Sequence, residues 1–435
     1  MLECFRLRAT ATIQQLADNR AERVAINRFF RNPNVSVEEI LKTAAERTGA
    51  LSAGRHILLI EDTSEINYQA KAGRKRKLGT VGNGSDIGLF VHPTLALDAA
   101  DGTVLGLAGA TIWRRQTKKH PNYQALPIEA KESHRWIATP QKANGHLGQA
   151  AMVTVVADRE ADIYELFTRL PDERTHVLVR ATHDRAVVEG ERLFDALGRQ
   201  EPVGTITFDL PSRPSRAARQ VRLALRFTRV TLKQPRRGAD PRDPKVVTVS
   251  AVEAREIDPP SPDDAILWRL LTSHTVTTLA EAVDAVEHYR LRWTIEQLFR
   301  TLKSQGLDIE ASFLSDGAAL ERLAATALVA ATMVLQLVQA RGEAGAVLPA
   351  SRVFTPDEIA ALHAFVPHLE GRTAKQRNPH PLESLAWAAW GIARLGGWSG
   401  YASERPPGPT TMTDGLKRFQ AMAEGFALGH GKTIQ

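Results

Sequence analysis

Two short apolar segments that each end in an aspartate constrain the fold of this chain most strongly. His56–Glu61 (HILLIE) is followed by Asp62, and Met152–Ala157 (MVTVVA) is followed by Asp158. The length and composition of both segments predict buried β-strands. Because open α/β sheets place their ligands at the carboxyl ends of strands, both aspartates are candidate site residues. An alternative role for Asp62 is to cap the turn that follows it.

A third acidic residue lies in His288–Ser304 (HYRLRWTIEQLFRTLKS), which we interpret as part of a long helix capped by Thr278 and Glu281. Helical spacing would stack one carboxylate, two cations and one phenol on a single face, namely Glu296, Arg292, Lys303 and Tyr289. A carboxylate among cations suits a metal ion beside a phosphate group. The alternative is an ordinary solvated charged face.

Asp62, Asp158 and Glu296 together form a candidate metal-binding triad. Three carboxylates from separate elements can hold two divalent cations, and oxygen ligands favour Mg²⁺ or Mn²⁺. Two such ions at a scissile phosphate would activate the attacking water or hydroxyl and stabilise the leaving oxygen. The residues thus predict phosphoryl-transfer chemistry.

Composition narrows the class of protein. A net charge of +7 over 435 residues fits a polyanionic partner such as nucleic acid. The single cysteine, Cys4, excludes a disulfide framework and a cysteine-based zinc site, and it indicates a reducing, cytoplasmic compartment. No signal peptide is apparent in the sequence. The longest apolar run, Leu323–Val338, is shorter than the roughly 20 residues of a membrane span, so we expect a buried helix and no membrane partner.

The pattern of elements predicts an α/β protein with three parts. We expect a helical N-terminal part over residues 1–50, a catalytic domain over 51–370 with a β-rich insertion at about 190–265, and a helical C-terminal module over 371–435. The C-terminal module carries aromatic residues that require burial, which suits packing between subunits. A further helix is expected over Ile128–Ala138, and another directly after Asp158.

Several segments together resemble one family. The spacing Y-x2-R-x3-E-x6-K is present at Tyr289, Arg292, Glu296 and Lys303, and the two aspartates lie in the contexts IEDTSEINY and ADREADIYELF. Four more segments match in order: FFRNPNVSVEEI, RVTLKQ, WRLLTS and GIARLGGW. From about residue 25 to its end, the chain resembles bacterial insertion-sequence transposases with a DDE catalytic site.

The resemblance implies an RNase H-like core, in which a mixed sheet is flanked by helices and carries a β-rich insertion after the second aspartate. It implies that Asp62, Asp158 and Glu296 are the catalytic metal ligands, with Mg²⁺ or Mn²⁺ bound as two ions per site. It assigns DNA contacts to Tyr289, Arg292, Lys303, Arg300 and Arg180, and stacking on a flipped base to Trp268.

The resemblance also implies a cut-and-paste reaction in a bacterial, nucleoid-associated protein. One strand is nicked at the transposon end, a hairpin forms and is reopened, and the end is joined to target DNA, with a homodimer expected in the DNA complex. Because only 61 residues precede Asp62, the alternative is an N-terminally shortened regulator that inhibits a full-length transposase through mixed oligomers. A two-metal nuclease outside transposition is disfavoured, since a plain nuclease needs neither the Y-R-E-K segment nor the tryptophan.

Overall fold

A computed structural model gives the fold of residue 17 and of residues 19–82, 84–115, 122–188, 190–210, 217–236, 240–401 and 403–429. Within these ranges the chain forms eleven strands: β1 (His56–Glu61), β2 (Ser64–Asn67), β3 (Gly79–Val81), β4 (Asp86–Asp98), β5 (Val104–Trp113), β6 (Met152–Ala157), β7 (Thr175–Arg180), β8 (Gly204–Leu210), β9 (Arg219–Lys233), β10 (Val246–Glu256) and β11 (Leu267–Thr272).

The same ranges contain twelve α-helices: α1 (Arg20–Arg31), α2 (Val37–Leu51), α3 (Arg135–His146), α4 (Tyr164–Arg169), α5 (Leu193–Gly198), α6 (Leu279–Arg290), α7 (Thr294–Lys303), α8 (Gly317–Ala340), α9 (Glu343–Ala346), α10 (Pro356–Leu369), α11 (Leu385–Leu395) and α12 (Pro409–Gly429). Short 3₁₀ segments join several of them. The α/β class is therefore confirmed.

The chain forms two compact units that interleave along the sequence. The first contains Met1–Leu51, Thr63–Thr117 and Thr294–Gln435, and the second contains Ser52–Asp62 and Lys118–Trp293. The boundaries expected near residues 50 and 370 remain predictions.

The second unit contains a mixed sheet with strand order β1-β6-β7-β11-β10-β9-β8. Strands β1, β6 and β7 run parallel, and β11 adds to β7 in the antiparallel sense. The remaining strands continue as antiparallel neighbours. The strand-rich segment therefore extends the sheet that carries both aspartates. The resemblance implied an RNase H-like core with a mixed sheet flanked by helices, and this mixed sheet is confirmed.

Helices pack on this sheet because each has an apolar side. Helix α3 contacts β1, α5 contacts β9, and α6 contacts β6, β7, β9, β10 and β11. The predicted capping box of α6 is present, since Thr278 and Glu281 each bond the other's backbone N–H. The helix expected over Ile128–Ala138 is wrong in its bounds. Two 3₁₀ turns occupy Ile128–Ala130 and Glu132–His134, and the α-helix follows them.

The first unit is built around helix α8. This helix packs on β5 and on α2, α7 and α11, and Gln336 donates to the carbonyl oxygen of Leu105. Among the described residues it is the one helix long and apolar enough to cross a membrane, but 89% of its most apolar window is buried inside the protein. That burial agrees with the predicted core helix. Strands β4 and β5 form an antiparallel hairpin, with Gly102 between them in the left-handed region at a φ of 72°.

Four histidines cluster in the second unit at the opposite end of β1 from Asp62. His56 begins β1, and its Nε2 lies 2.8 Å from Oγ1 of Thr154, which also lies 2.7 Å from Nε2 of His274. The ring of His176 stacks on His274 at 3.9 Å, and His288 packs against His56. Burial, together with the neighbouring histidines, lowers the pKa of His274 to about 3. His274 is therefore neutral at physiological pH.

Candidate active site

The two aspartates lie side by side at the carboxyl edge of the parallel strands. Both strands are buried along almost their whole length, as their apolar sequences predicted. Ile60 of β1 pairs with Val156 of β6, so Asp62 and Asp158 occupy matching positions two residues further on. The register of the sheet thus aligns the two carboxylates.

A single arginine faces both aspartates. Nη1 of Arg292 lies 2.9 Å from Oδ2 of Asp62, and Nη2 lies 3.8 Å from Oδ2 of Asp158. The arginine side chain is only 4% exposed. A buried guanidinium requires such counter-charges, because leaving it unpaired would cost several kcal/mol. The two carboxylates therefore converge on one cation.

Tyr289 is buried beside this ion cluster. Burial raises the pKa of its phenol and the charge of Asp158 raises it further, whereas Arg292 and Arg180 lower it. The net shift is upward, so the phenol keeps its proton at neutral pH. The guanidinium of Arg292 lies 6.0 Å from the tyrosine ring centroid and 5.1 Å from that of Trp293.

Arg180 and Trp268 border the same region from two adjacent strands. Arg180 ends β7, pairs with Leu270 of β11 and donates from Nη2 to the carbonyl oxygen of Leu267 at 3.0 Å. Trp268 is half-exposed, and its ring meets Tyr289 edge-on at 5.6 Å. The structure thus brings together six predicted residues: Asp62, Asp158, Arg180, Trp268, Tyr289 and Arg292.

The Y-R-E-K segment is not one continuous helix, which corrects the sequence prediction. Helix α6 ends at Arg290, a 3₁₀ turn covers Leu291–Trp293, and α7 begins at Thr294. Tyr289 and Arg292 therefore lie outside the helix that carries Glu296, Arg300 and Lys303. The prediction failed because the segment contains no proline or glycine to mark a break, and 3₁₀ turns inside helical segments often occur at functional positions.

Helix α7 belongs to the first unit. Its apolar side is buried at Ile295, Leu298 and Leu302. Glu296 and Arg300 lie one turn apart, with an Nη2–Oε2 distance of 4.0 Å. Lys303 is half-buried at the end of the helix.

The donor chemistry of the aspartates suits a hard divalent ion. Asp62 and Asp158 offer carboxylate oxygens, and both already face the positive charge of Arg292. Among the residues that the structure describes, no group of three or more histidine, cysteine, aspartate or glutamate side chains is arranged to hold a metal ion. Two converging carboxylates therefore fit part of the predicted ligand set.

Sequence reasoning missed a buried aspartate that fixes the loop after β7. Asp162 has no exposed side-chain surface, and its Oδ2 accepts the backbone N–H groups of Thr182 and His183 at 2.8 and 2.9 Å. Its Oδ1 accepts from Arg185 at 2.7 and 3.1 Å. No local pattern pairs residues this far apart, so sequence spacing could not reveal this Asp162 clamp.

Sequence reasoning also missed one acidic and one basic residue next to the site, Glu61 and Arg135. Glu61, the last residue of β1, is fully buried. Burial raises its pKa well above the usual value, Arg135 opposes that shift, and Asp62 adds to it. Arg135 in turn pairs with Glu160 at 2.9 Å. No sequence pattern marks Glu61 as a site residue, because it ends a strand that is otherwise largely apolar.

Comparisons with known proteins bear on the central part of the chain. Residues 139–333 match a family model described as a transposase DDE domain, a range that includes Asp158 and Glu296. A solved structure, the piggyBac transposase synaptic complex with hairpin DNA, aligns with a TM-score of 0.37 and 9% identity. That alignment covers 88% of this chain, which spans 55% of the piggyBac chain. The match supports a transposase DDE domain over residues 139–333.

Proposed function

We propose that this protein is a DNA transposase that moves its element by cut-and-paste transposition. The observation that carries the proposal is the convergence of Asp62 and Asp158 on Arg292 at one edge of a mixed sheet. The match of residues 139–333 to a transposase DDE domain agrees with it. Within that family we infer that the chain belongs to the branch with the Y-R-E-K signature. It resembles the transposase of the composite kanamycin-resistance transposon, which carries that signature.

Asp62, Asp158 and Glu296 would hold two Mg²⁺ ions, with Mn²⁺ as a substitute. Ions bound there would stabilise the charge that develops at phosphorus and lower the pKa of the attacking water. The carboxylates suit this role because hard divalent ions prefer oxygen ligands. The same site serves nicking, hairpin formation, hairpin opening and strand transfer, since each is an in-line displacement at phosphorus.

The cations position DNA. The positive charge of Arg292 reduces the repulsion between the two carboxylates that it faces. We propose that its guanidinium binds a backbone phosphate oxygen when the transposon end enters. Arg180, Arg300 and Lys303 would bind further phosphates, which fits the net charge of +7.

The aromatic residues handle the base that hairpin formation forces out of the duplex. The half-exposed ring of Trp268 would stack on that base, which offsets part of the unstacking cost of a few kcal/mol. The buried phenol of Tyr289 keeps its proton, so it would donate a hydrogen bond to DNA.

The partners follow from this reaction. We propose that the protein binds transposon-end DNA and target DNA as a homodimer, in the bacterial cytoplasm at the nucleoid. A shortened regulator that blocks a longer transposase through mixed oligomers is the other outcome of the test below.

Cleavage of labelled DNA that carries the element's terminal repeats tests the proposal. The unmodified chain should nick the ends and form hairpins with Mg²⁺ or Mn²⁺, and Glu296→Ala and Asp158→Ala should abolish both products. Asp284→Ala, which removes an exposed carboxylate from α6, is the matched control and should cleave normally. Cleavage that survives both Glu296→Ala and Asp158→Ala would refute the proposed triad. No cleavage, together with inhibition of an N-terminally extended version, would favour the regulator.

A further inference from the structure

Three side chains in the second unit form a layered stack beside the candidate active site. The ring of Phe208, on β8, lies nearly parallel to Trp268, with an interplanar angle of 10° and centroids 6.1 Å apart. The guanidinium of Arg290 lies over the Phe208 ring at 4.0 Å. Arg290 is itself held by Glu287, whose two carboxylate oxygens accept from Nη1 at 2.6 and 2.7 Å. The proposed reaction assigns no role to Phe208 or Arg290.

Phe208 lies where a nucleobase could reach it. Strand β8 alternates between exposed and half-buried residues, and Phe208 is half-buried, as is Trp268. The ring of Trp268 also contacts that of Tyr289. The charges of Asp158, Arg292 and Arg180 lie close enough to Tyr289 to shift the pKa of its phenol. The stack is therefore continuous with the cluster that surrounds the aspartates.

The two rings are oriented as the walls of a base sandwich would be, with nearly parallel planes. Stacked bases are about 3.4 Å apart, so two rings on either side of one base lie about 6.8 Å apart. The observed centroid distance of 6.1 Å includes any lateral offset of the rings and is therefore an upper bound on the separation of their planes. Because the planes are already nearly parallel, an outward shift of Phe208 would admit a base without a rotation of either ring.

The position of β8 permits such a shift. In the described sheet of the second unit, β8 is the terminal strand and pairs with β9 alone. A displacement of an edge strand disturbs one ladder of hydrogen bonds, whereas a central strand would disturb two. Trp268 lies on β11, which pairs on both sides and is the fixed wall.

We propose that Phe208 and Trp268 are the two walls of a slot that holds one unpaired nucleobase, and that Arg290 positions Phe208 by binding its outer face. This inference rests on the proposed function, in which Trp268 stacks on a displaced base. Its new element is a second aromatic wall. Before DNA binds, the two rings protect each other from water, and the base takes the place between them.

Fluorescence of 2-aminopurine tests the slot. The probe is a terminal-repeat duplex in which a single unpaired 2-aminopurine stands, in turn, at each of the last positions of the cut strand. Stacking between two rings should quench its emission on binding the unmodified protein. Phe208→Ala and Trp268→Ala should each lose this quenching and weaken binding of the unpaired-base duplex by about tenfold or more. Arg290→Gln should lose part of the quenching, because it releases the outer face of Phe208.

The chain offers a matched control for Phe208. Phe194 is also half-buried and lies under the guanidinium of Arg269 at 4.0 Å, so it forms a separate cation–π pair. Phe194→Ala should therefore quench like the unmodified protein. Phe208→Tyr should retain quenching, because it keeps the aromatic ring. Phe208→Leu fills most of the same volume without a ring, so it should fold and lose quenching. It replaces Phe208→Ala as the test if the alanine variant does not fold.

The outcomes separate the slot from the proposed function. If Phe208→Leu quenches normally while Trp268→Ala does not, the slot is refuted and the stacking role of Trp268 stands. If the unmodified protein neither binds nor quenches the duplex, the proposed function fails and the slot fails with it.

Discussion

Replacing Asp162 by alanine should lower the free energy of unfolding by about 3–5 kcal/mol. The Asp162 clamp consists of four hydrogen bonds, two from backbone N–H groups and two from Arg185. The aspartate side chain has no exposed surface and that of Arg185 is 9% exposed. The variant would remove the counter-charge of a buried guanidinium and leave it only a hydrogen bond to the backbone carbonyl oxygen of residue 162, which is the costly case for a buried ion pair.

The magnitude can be assigned with a second substitution. Each unsatisfied backbone N–H would add about 1–3 kcal/mol if it stayed dry, but water can reach the exposed residue His183, so these costs do not add in full. Removing the charge as well, in Asp162→Ala combined with Arg185→Met, should recover part of the loss. The recovery identifies the unpaired cation as the main cause.

Urea unfolding followed by circular dichroism measures both variants. The slope of the transition should stay constant, because the unfolded surface does not change. Asp414→Ala breaks an exposed pair with Lys417 and is the control, with an expected change of at most about 1 kcal/mol. A loss below about 1 kcal/mol for Asp162→Ala, or no recovery in the double variant, would refute the reasoning.

Three further predictions follow from other parts of the molecule. Because the histidine cluster holds His274 neutral, its folded pKa is below the unfolded value of about 6.5, so stability should fall as pH decreases from about 6.5 toward 3. Arg292→Gln exposes Asp62 and Asp158 to mutual repulsion, so its melting temperature should fall and Mg²⁺ should restore more of it than in the unmodified protein. Gly106→Ala should cost about 1–3 kcal/mol, because Gly106 has a φ of +156° and a Cβ there would overlap Thr48.

Each of these has its own control. His274→Gln keeps a hydrogen-bonding group but cannot titrate, so the fall in the urea midpoint below pH 6.5 should be smaller, and an unchanged fall would contradict the first prediction. For Arg292→Gln, Mg²⁺ should raise the melting temperature more than it does in the unmodified protein. An equal increase in melting temperature for the two proteins would contradict the second prediction. For the third, Gly145→Ala on α3 meets no atom within 4 Å and should not destabilise the protein. Equal unfolding free energies for the two glycine variants would be the contrary result.

The strands of the sheet could be predicted from sequence because their signal is local. His56–Glu61 and Met152–Ala157 have the predicted bounds, and each is a short apolar run followed by aspartate. The capping boxes at Thr278 and Thr355 are also local patterns, and both are present. The α/β class follows from these elements alone.

The contacts that complete the site could not be predicted, because they join distant residues. Phe208 and Trp268 are 60 positions apart, and no sequence pattern indicates that their rings lie together. The 3₁₀ turn at Leu291–Trp293 was missed for another reason, since its residues are compatible with a continuous helix. There the fold, through the contact of Arg292 with two carboxylates, overrides local propensity.

The central claim is that Asp62 and Asp158 bind the catalytic metal, and exchange of carboxylate for thiolate tests it most directly. Mn²⁺ accepts sulfur ligands more readily than Mg²⁺, which prefers oxygen. We predict that Asp62→Cys and Asp158→Cys cleave terminal-repeat DNA with Mn²⁺ but not with Mg²⁺, while Glu160→Cys, beside the site, cleaves with both. Loss of cleavage with both metals in the two aspartate variants, or full cleavage with Mg²⁺, would contradict the claim that these carboxylates are metal ligands.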